Sequence, residues 1–552
     1  MTRNDRHTVR ALFLLGANDG VLPAAENRGG VLRDEDREAL ERQQIFLAPH
    51  GMEQFHLEIQ NLYAALAQPT EKLTVSYPVS DGKGAEKRPS FVIGRIARLL
   101  PSISVETESA DKEYRLSAKS TALEYAGEHI GGALWQYFEG QGDAERALAA
   151  MKDASRYTRG HLSRDAVRAL YGGAVTLSAS RMDMARSCHF AYFMRYGLKA
   201  RERTGAGFDA PQIGTFVHDV MEHTLRQAKE CGGLHTLSKD KLHALVRASI
   251  EEYIDRVLPD LSEKSARFRY LFNRLCATVE RIMDEVSEEL QGSDFEPLAF
   301  ELEFGADGQL PAITIREENG TARVVGKVDR VDGWLHDGKL YLRVVDYKTG
   351  KKSFDLAELR YGLGLQMLLY LFTLKEEGQM LFGGHEIVPA GVLYTPAREP
   401  MLRCARDTEP EKIEKALKKE LRRSGMVLED PAVLQAMEHS ALESPCYLPI
   451  AVKRDGAVTG SLASAEQLGK LSKYVDHILH EITQEVFAGN IDADPYARTP
   501  QQSACTYCEF ASACHFENGC GSDRMEYIKA TKNDEFWQYI DEANGEGAHE
   551  NG

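Results

Sequence analysis

Two groups of residues in this 552-residue chain have types and spacings that do chemistry. The first is Asp346-Tyr347-Lys348, with Asp329 before it in Gly326-Lys327-Val328-Asp329-Arg330-Val331-Asp332. On a strand alternate side chains share a face, so Asp346 and Lys348 point one way and Tyr347 the other. A hairpin that pairs the two segments brings Asp329 near Asp346. Two carboxylates so placed suit a hard cation, Mg2+ or Mn2+, which prefers oxygen ligands and keeps waters. Such a centre activates water and offsets charge at a phosphodiester, with Lys348 positioning the water or neutralising charge beside it. Asp-x-Lys alone is common on surface hairpins. Here Val344-Val345 makes a buried strand that ends in the polar pair, and Gln366 and Tyr370, four residues apart, share one helix face. His218 sits near a predicted helix start in Gly214-Thr215-Phe216-Val217-His218.

The second group is Cys505, Cys508 and Cys514, spaced Cys-x2-Cys-x5-Cys, with Cys188 far upstream. Thiolates in such spacing bind zinc or an iron–sulfur cluster. Cys520 competes as a local fourth ligand and would favour zinc; His515 is a weaker one. Cys231, Cys276, Cys404 and Cys446 read as ordinary thiols. A ligand set that closes so long a loop pins both ends of the intervening domain together.

The elements that must position these residues follow from periodicity. Residues 9–15 read as a buried strand, Gly16-Ala17-Asn18-Asp19-Gly20 as a turn, 34–48 and 53–68 as helices, and 73–77 as a strand. A loop covers 78–90, and 101–175 is mixed and mainly helical. Ser178 and Ser180 could cap a helix holding Cys188. Helices are expected over 214–230, 238–290, 356–377, 409–424 and 464–488. Strands are expected over 298–304, 322–334, 339–347 and 390–395, with Asp337-Gly338 as a hairpin turn. The last dozen residues, rich in Gly, Glu and Asn, read as disordered.

Length allows about two to four domains. The hydrophobic share of 43% fits a globular chain, no apolar run is long enough for a membrane span, and Met1-Thr2-Arg3-Asn4-Asp5-Arg6 opens no signal peptide. A cytoplasmic location is the expectation. Nine cysteines, an odd number, suggest thiols or metal ligands rather than disulfides. The net charge of −17 excludes a generally basic nucleic-acid coat, so contacts with a polyanion are confined to a local channel or shared with a partner.

The stretch from His218 to Tyr370 resembles the RecB-type nucleases of the PD-(D/E)xK superfamily, whose core runs helix, three strands, helix, strand. The resemblance implies that His218, Asp329 and Asp346 ligate the metal, that Lys348 is the catalytic lysine, and that Gln366 and Tyr370 form the family's Gln-x3-Tyr element. Glu301 or Glu303 could add a carboxylate. The flank of Cys188, Cys188-His189-Phe190-Ala191-Tyr192-Phe193-Met194-Arg195-Tyr196-Gly197-Leu198, is similar to a segment of the AddB family of helicase–nuclease subunits. That resemblance implies a 4Fe–4S cluster on Cys188, Cys505, Cys508 and Cys514.

Phe13-Leu14-Leu15-Gly16-Ala17-Asn18-Asp19-Gly20-Val21-Leu22-Pro23 resembles a strand-turn late in the second motor domain of UvrD-like helicases. Residues 63–73 resemble that family's last motif, with Ala67-Gln68-Pro69 where active members have Thr-Arg-Ala. Gln68 thus replaces the arginine that would touch the γ-phosphate. The nearest phosphate-loop match, Gly333-x4-Gly338-Lys339, is followed by Leu340 and reads as chance.

The expected fold is α/β: a degenerate UvrD-like helicase remnant with connecting helices over 1–175, a PD-(D/E)xK restriction-endonuclease-like core with an iron–sulfur staple over 176–525, and a tail over 526–552. The resemblance implies a metal-dependent DNA exonuclease subunit, inactive as an ATPase. It would be partnered by an AddA-like helicase–nuclease subunit in double-strand break repair and recombination. Either the C-terminal part of a longer subunit or a shortened relative fits this expectation. The alternatives are a stand-alone Cas4-like iron–sulfur exonuclease and a non-enzymatic scaffold with a dead site.

Overall fold

The computed structural model describes residues 8–24, 32, 34–48, 51–80, 86–106, 115–156, 158–201, 210–305, 308–350, 352–405, 408–499 and 502–545. The chain forms two compact units, Met1–Lys152 and Asp153–Gly552. The division falls ahead of the expected boundary at 175, because the helix Arg164–Tyr171 packs Val167 into the core of the second unit.

In the first unit strand Val9–Leu14 pairs in parallel with Pro69–Val75, and the helix Gly51–Leu66 runs between them. Leu14, Leu62 and Val92 form a small core with Leu66, Val75 and Ile96 around them. Parallel strands need a crossover, and the helix supplies it. The turn after the first strand is built as its residues require. Gly16 and Gly20 have φ of 72° and 75°, and the Asn18 amide donates to the carbonyls of Pro78 (2.9 Å) and Arg88 (3.1 Å). The second strand starts at Pro69, four residues before the expected Leu73. A separate core of Ala122, Ala126, Trp135, Phe138, Ala144 and Leu148 joins the helices that follow.

The second unit is organised by a six-stranded mixed sheet. Its order is Leu462–Ala463, Ser424–Leu428, Glu386–Pro396, Lys339–Lys348, Gly326–His336, Glu296–Phe304. Lys339–Lys348 and Glu386–Pro396 run parallel, joined through the helix Gln366–Glu377, whose Met367 to Leu374 are all buried. Such all-round burial fits a helix enclosed by other layers. Helices Ala210–Glu230, Lys239–Val257, Ala266–Gln291 and Ala465–Ala488 contribute to the same core. A smaller sheet pairs Ala174–Leu177 with Gly320–Val324, and Ile313–Glu317 completes it.

Several expected elements are cut differently. The single helix over 238–290 is two, because Pro259 ends one and Ser265 caps the next by accepting the Phe268 N–H at 3.2 Å. The helix over 356–377 is interrupted at Gly362 and Gly364, whose φ values of 74° and 68° lie in the left-handed region. The strand over 322–334 splits at Val325, its two halves entering different sheets. Cys188 is not inside a helix. It is extended, at the break between Ala179–Ser187 and His189–Tyr192. The end of the chain is not wholly irregular either: helix Asn533–Ala543 buries Phe536, Trp537 and Ile540 in the main core, and residues 546–552 lie outside the described residues.

Behind the sheet lies a buried ionic network that apolar patterning does not announce. Arg330, Asp332 and Arg343 are fully buried, with Glu289 and Arg423 nearly so. Arg330 Nε is 2.8 Å and Arg343 Nε 2.9 Å from Asp332, while Arg423 donates to Glu289 at 2.6 and 3.0 Å. Arg330 also donates to the Tyr347 hydroxyl at 2.7 Å. Charges so far from water persist only when paired.

Candidate active site

The hairpin turn at Asp337-Gly338, with φ of 49° and 78°, fixes the register Arg330↔Val345. Asp329 therefore stands beside Asp346, and its Oδ2 accepts the Tyr347 N–H at 2.9 Å. Alternation sends Tyr347 to the far layer, where Arg330 holds it. Asp346 and Lys348 remain on the near face, with Lys348 Nζ 2.6 Å from Asp346 Oδ2.

His218 enters from helix Ala210–Glu230. Its Nε2 donates to the Tyr347 carbonyl at 2.9 Å, and its Nδ1 lies 3.3 Å from Asp329 Oδ1. With Nε2 so committed, Nδ1 is the nitrogen left to face an ion. Burial alone would lower the imidazole pKa, but the hydrogen bond and charge of Asp329 outweigh it and push it up to about 9. Asp346 is raised to about 6, first by burial and then by the Asp329 charge, against the pull of Lys348 and His218. Each shift reports one crowded fact: acidic groups share a small dry space.

The Gln366 amide donates to Asp346 Oδ1 at 3.4 Å and to the Tyr370 hydroxyl at 3.3 Å. Tyr370 packs edge-on against Phe304, ring centroids 5.1 Å apart. Gly326 permits this approach: a Cβ there would lie 2.5 Å from a Phe304 ring carbon and 2.6 Å from one of Tyr370.

The structure separates the two glutamates that the sequence left open. They lie two residues apart on one strand, but pairing sets Glu303 opposite Lys327, while Glu301 falls between the pairs Phe300↔Arg330 and Leu302↔Val328. His218, Glu301 and Asp329 offer ligand atoms that all lie within 4.8 Å of one another. Asp346 lies outside that set, its oxygens turned to Lys348 and Gln366. Burial raises the Glu301 carboxyl above the usual range, although Lys327 at 2.6 Å opposes this. One imidazole nitrogen and several carboxylate oxygens suit a hard divalent cation, so the residues fit the expected metal.

Cys188, Cys505, Cys508 and Cys514 line one cavity of about 670 Å³, with His515 at its wall. Cys520 is exposed and does not line it. Burial pushes the Cys188 thiol up to about 12. Burial, then the neighbouring Cys508 and Cys514, pushes Cys505 up to about 11. Ion pairs hold the surrounding segments together. His189 contacts Asp494 at 2.5 Å and Glu485 at 3.1 Å, Arg195 contacts Glu509 at 2.7 Å, and Arg159 contacts Asp523 at 2.8 Å and the Cys514 carbonyl at 2.8 Å.

In the first unit the Gln68 carbonyl accepts the Val9 N–H at 3.2 Å, just before the second strand. Gly333 and Lys339 lie in the two strands of the active-site hairpin, so the phosphate-loop-like spacing is part of a sheet.

Residues 176–515 match the sequence profile of the PD-(D/E)XK nuclease superfamily, and the chain belongs to it. Over 97% of its length the chain is 31% identical to an ATP-dependent helicase/deoxyribonuclease subunit from Ruminiclostridium cellulolyticum, covering 48% of that protein. It is 32% identical over 98% of its length to the protein of that name from Acetivibrio thermocellus, covering 49% of it. The chain spans about half the length of the curated relatives it matches.

Proposed function

We propose that this chain is the nuclease-bearing part of an AddB-like subunit, a metal-dependent DNA exonuclease of a helicase–nuclease that acts in double-strand break repair and recombination. The observation that carries the reading is the meeting of His218, Glu301 and Asp329 beside Asp346 and Lys348. A bound Mg2+ or Mn2+ would supply Lewis-acid charge and a more acidic water. His218, Asp329 and Asp346, joined by Glu301, would hold it. Lys348 would hold the attacking water or a phosphate oxygen, its own position fixed by Asp346. Gln366 orients Asp346, and Tyr370 orients Gln366. Relatives matched over nearly the whole chain, first unit included, favour this reading over a stand-alone Cas4-like exonuclease. The intact acid and lysine set disfavours a scaffold with a dead site.

The first unit is read as a remnant of a UvrD-like second motor domain without ATPase activity, since Gln68 offers no charge to a transferring phosphoryl group. An AddA-like subunit would supply the motor. The four cysteines are read as 4Fe–4S ligands. A zinc tetrahedron with Zn–S near 2.3 Å needs sulfurs about 3.8 Å apart. Among the described residues no three of these sulfurs come within 4.8 Å of one another. The four thiols share one cavity of about 670 Å³, and that shared cavity supports the cluster reading.

The test is cleavage of end-labelled single-stranded and duplex DNA by the purified chain, with Mg2+, with Mn2+ and with EDTA. Metal-dependent release of nucleotides from an end supports the proposal; no cleavage under any condition, with folding intact, refutes it.

A further inference from the structure

Beside Lys348 a cleft of about 320 Å³ opens on the far side of the active site from Glu301. Lys348, Lys352, Arg398 and Arg422 line it, with Glu420 as its one carboxylate. Its lining holds a local excess of positive charge in a chain whose net charge is −17. The four cations are fixed rather than waving in solvent. Lys352 Nζ is 3.4 Å from Glu358, and Arg398 donates to Glu420 at 2.9 Å. Arg422 is tied to the carbonyls of Leu448, at 2.7 Å, and Ile450. Carbonyls fix a guanidinium without cancelling its charge, and among the described residues no carboxylate pairs with Arg422. Lys348 sits over the buried Tyr394 ring, at 5.7 Å, and joins the cleft to the acidic pair.

We infer that this cleft seats the phosphates of one DNA strand next to the scissile bond, with Lys352 and Arg398 as backbone-binding residues. The inference rests on the nuclease reading and adds the strand's path. A polyanion approaching a net acidic protein gains energy only where cations concentrate, and a low-dielectric wall strengthens each contact. The occupant is a single strand. A cleft of about 320 Å³ takes the sugar-phosphate backbone of one strand and has no room for both strands of a duplex. Phosphate contacts of this kind carry no base preference, so the cleft would hold any sequence. The site would then be asymmetric: carboxylates for the cation on one side of the reacting phosphate, and cations for the neighbouring phosphates on the other.

The test is fluorescence anisotropy of a labelled oligothymidylate in EDTA across a salt series, with the full chain and the double variant Lys352→Gln/Arg398→Gln. Affinity should fall about tenfold, and the slope of log K against log salt should shrink by about 1.4 for two lost phosphate contacts on a single strand. Lys352→Arg/Arg398→Lys, which keeps the charge, should recover most of the affinity. Circular dichroism melts show that each variant folds. If wild type binds and cleaves while the double variant binds with the same affinity and slope, the cleft is not the strand's path and the nuclease reading stands. If folded wild type neither binds nor cleaves any DNA, both readings fall together. Weakened binding that free inorganic phosphate competes away at micromolar concentration would overturn the strand assignment in favour of a small-anion site.

Discussion

Glu301 brings a carboxylate oxygen within 4.8 Å of one on Asp329, and it does so from a strand residue with a φ of 49°. A non-glycine residue in that region is strained by about 1–2 kcal/mol, and a strand interior gives no turn to excuse it. The strained residue is the one whose carboxylate joins His218 and Asp329.

Glu301→Gln should therefore raise the Mg2+ concentration for half-maximal cleavage about tenfold, the usual scale for a weakened metal shell. Glu303→Gln, opposite Lys327 and half exposed, should change it less than about twofold. A metal titration of nuclease rate separates the two; equal effects would show that strand register does not select the ligand.

Asp346→Asn and Lys348→Ala should each lower cleavage by about a thousandfold or more, since they remove charge at the reacting centre. Asp346→Asn should not destabilise the fold, because burial and the Asp329 charge already raise that carboxyl to about 6. Thermal melts beside end-labelled cleavage assays check both statements. Persistent Mg2+-dependent cleavage in both variants would displace the site.

The network behind the sheet makes a stability prediction with a pH sign. Burial alone would raise the Glu289 carboxyl, but Arg423, Arg343 and Arg330 outweigh it and hold it at about 2 rather than 4.5. Its folded pKa is depressed, so its stabilisation is present above about pH 4.5 and lost as pH falls toward 2. The size is on the order of 3 kcal/mol. Glu289→Gln should cost about 3–5 kcal/mol at pH 7, because Arg343 and Arg423 are left buried with less negative charge beside them. The gap between urea melts of wild type and variant should narrow by about half as pH is lowered from 7 to 3. A constant gap across that range would remove the electrostatic account.

Cys188→Ser and Cys505→Ser should destabilise the second unit alike and abolish visible absorption from the anaerobically purified protein, since on the proposed cluster reading each removes one ligand of the same group. Cys520→Ser should leave the spectrum and the iron content unchanged. Loss of bound metal in Cys520→Ser with retention in Cys188→Ser would return the site to a local zinc knuckle.

The candidate site was legible in the sequence where residues lie close in the chain or on one periodic face. Asp346, Lys348, Gln366 and Tyr370 are of this kind, because strand alternation and helix spacing dictate their faces. Glu301 against Glu303 was not legible, since they lie two residues apart on one strand and only the folded sheet ranks them. The breaks at Gly362 and Gly364 carried a signal in their glycines, and Pro259 carried one too. The buried network carried no such mark: Arg330 and Asp332 sit in a stretch where Asp329 is charged too, and Arg343 lies on the next strand. Lys352, Arg398 and Arg422 had none, being drawn to one cleft from three segments.

Phe536, Trp537 and Ile540 belong to the same hydrophobic core as Phe216, Val217 and Val220, more than 300 residues earlier. During synthesis at about 5–20 residues per second, the early half of that core waits tens of seconds for its last helix. Cys188 waits almost as long for Cys505. Until that helix emerges, the early part of the core lacks the apolar side chains that cover it. The residues of the candidate active site are thus made before the core that supports them can close.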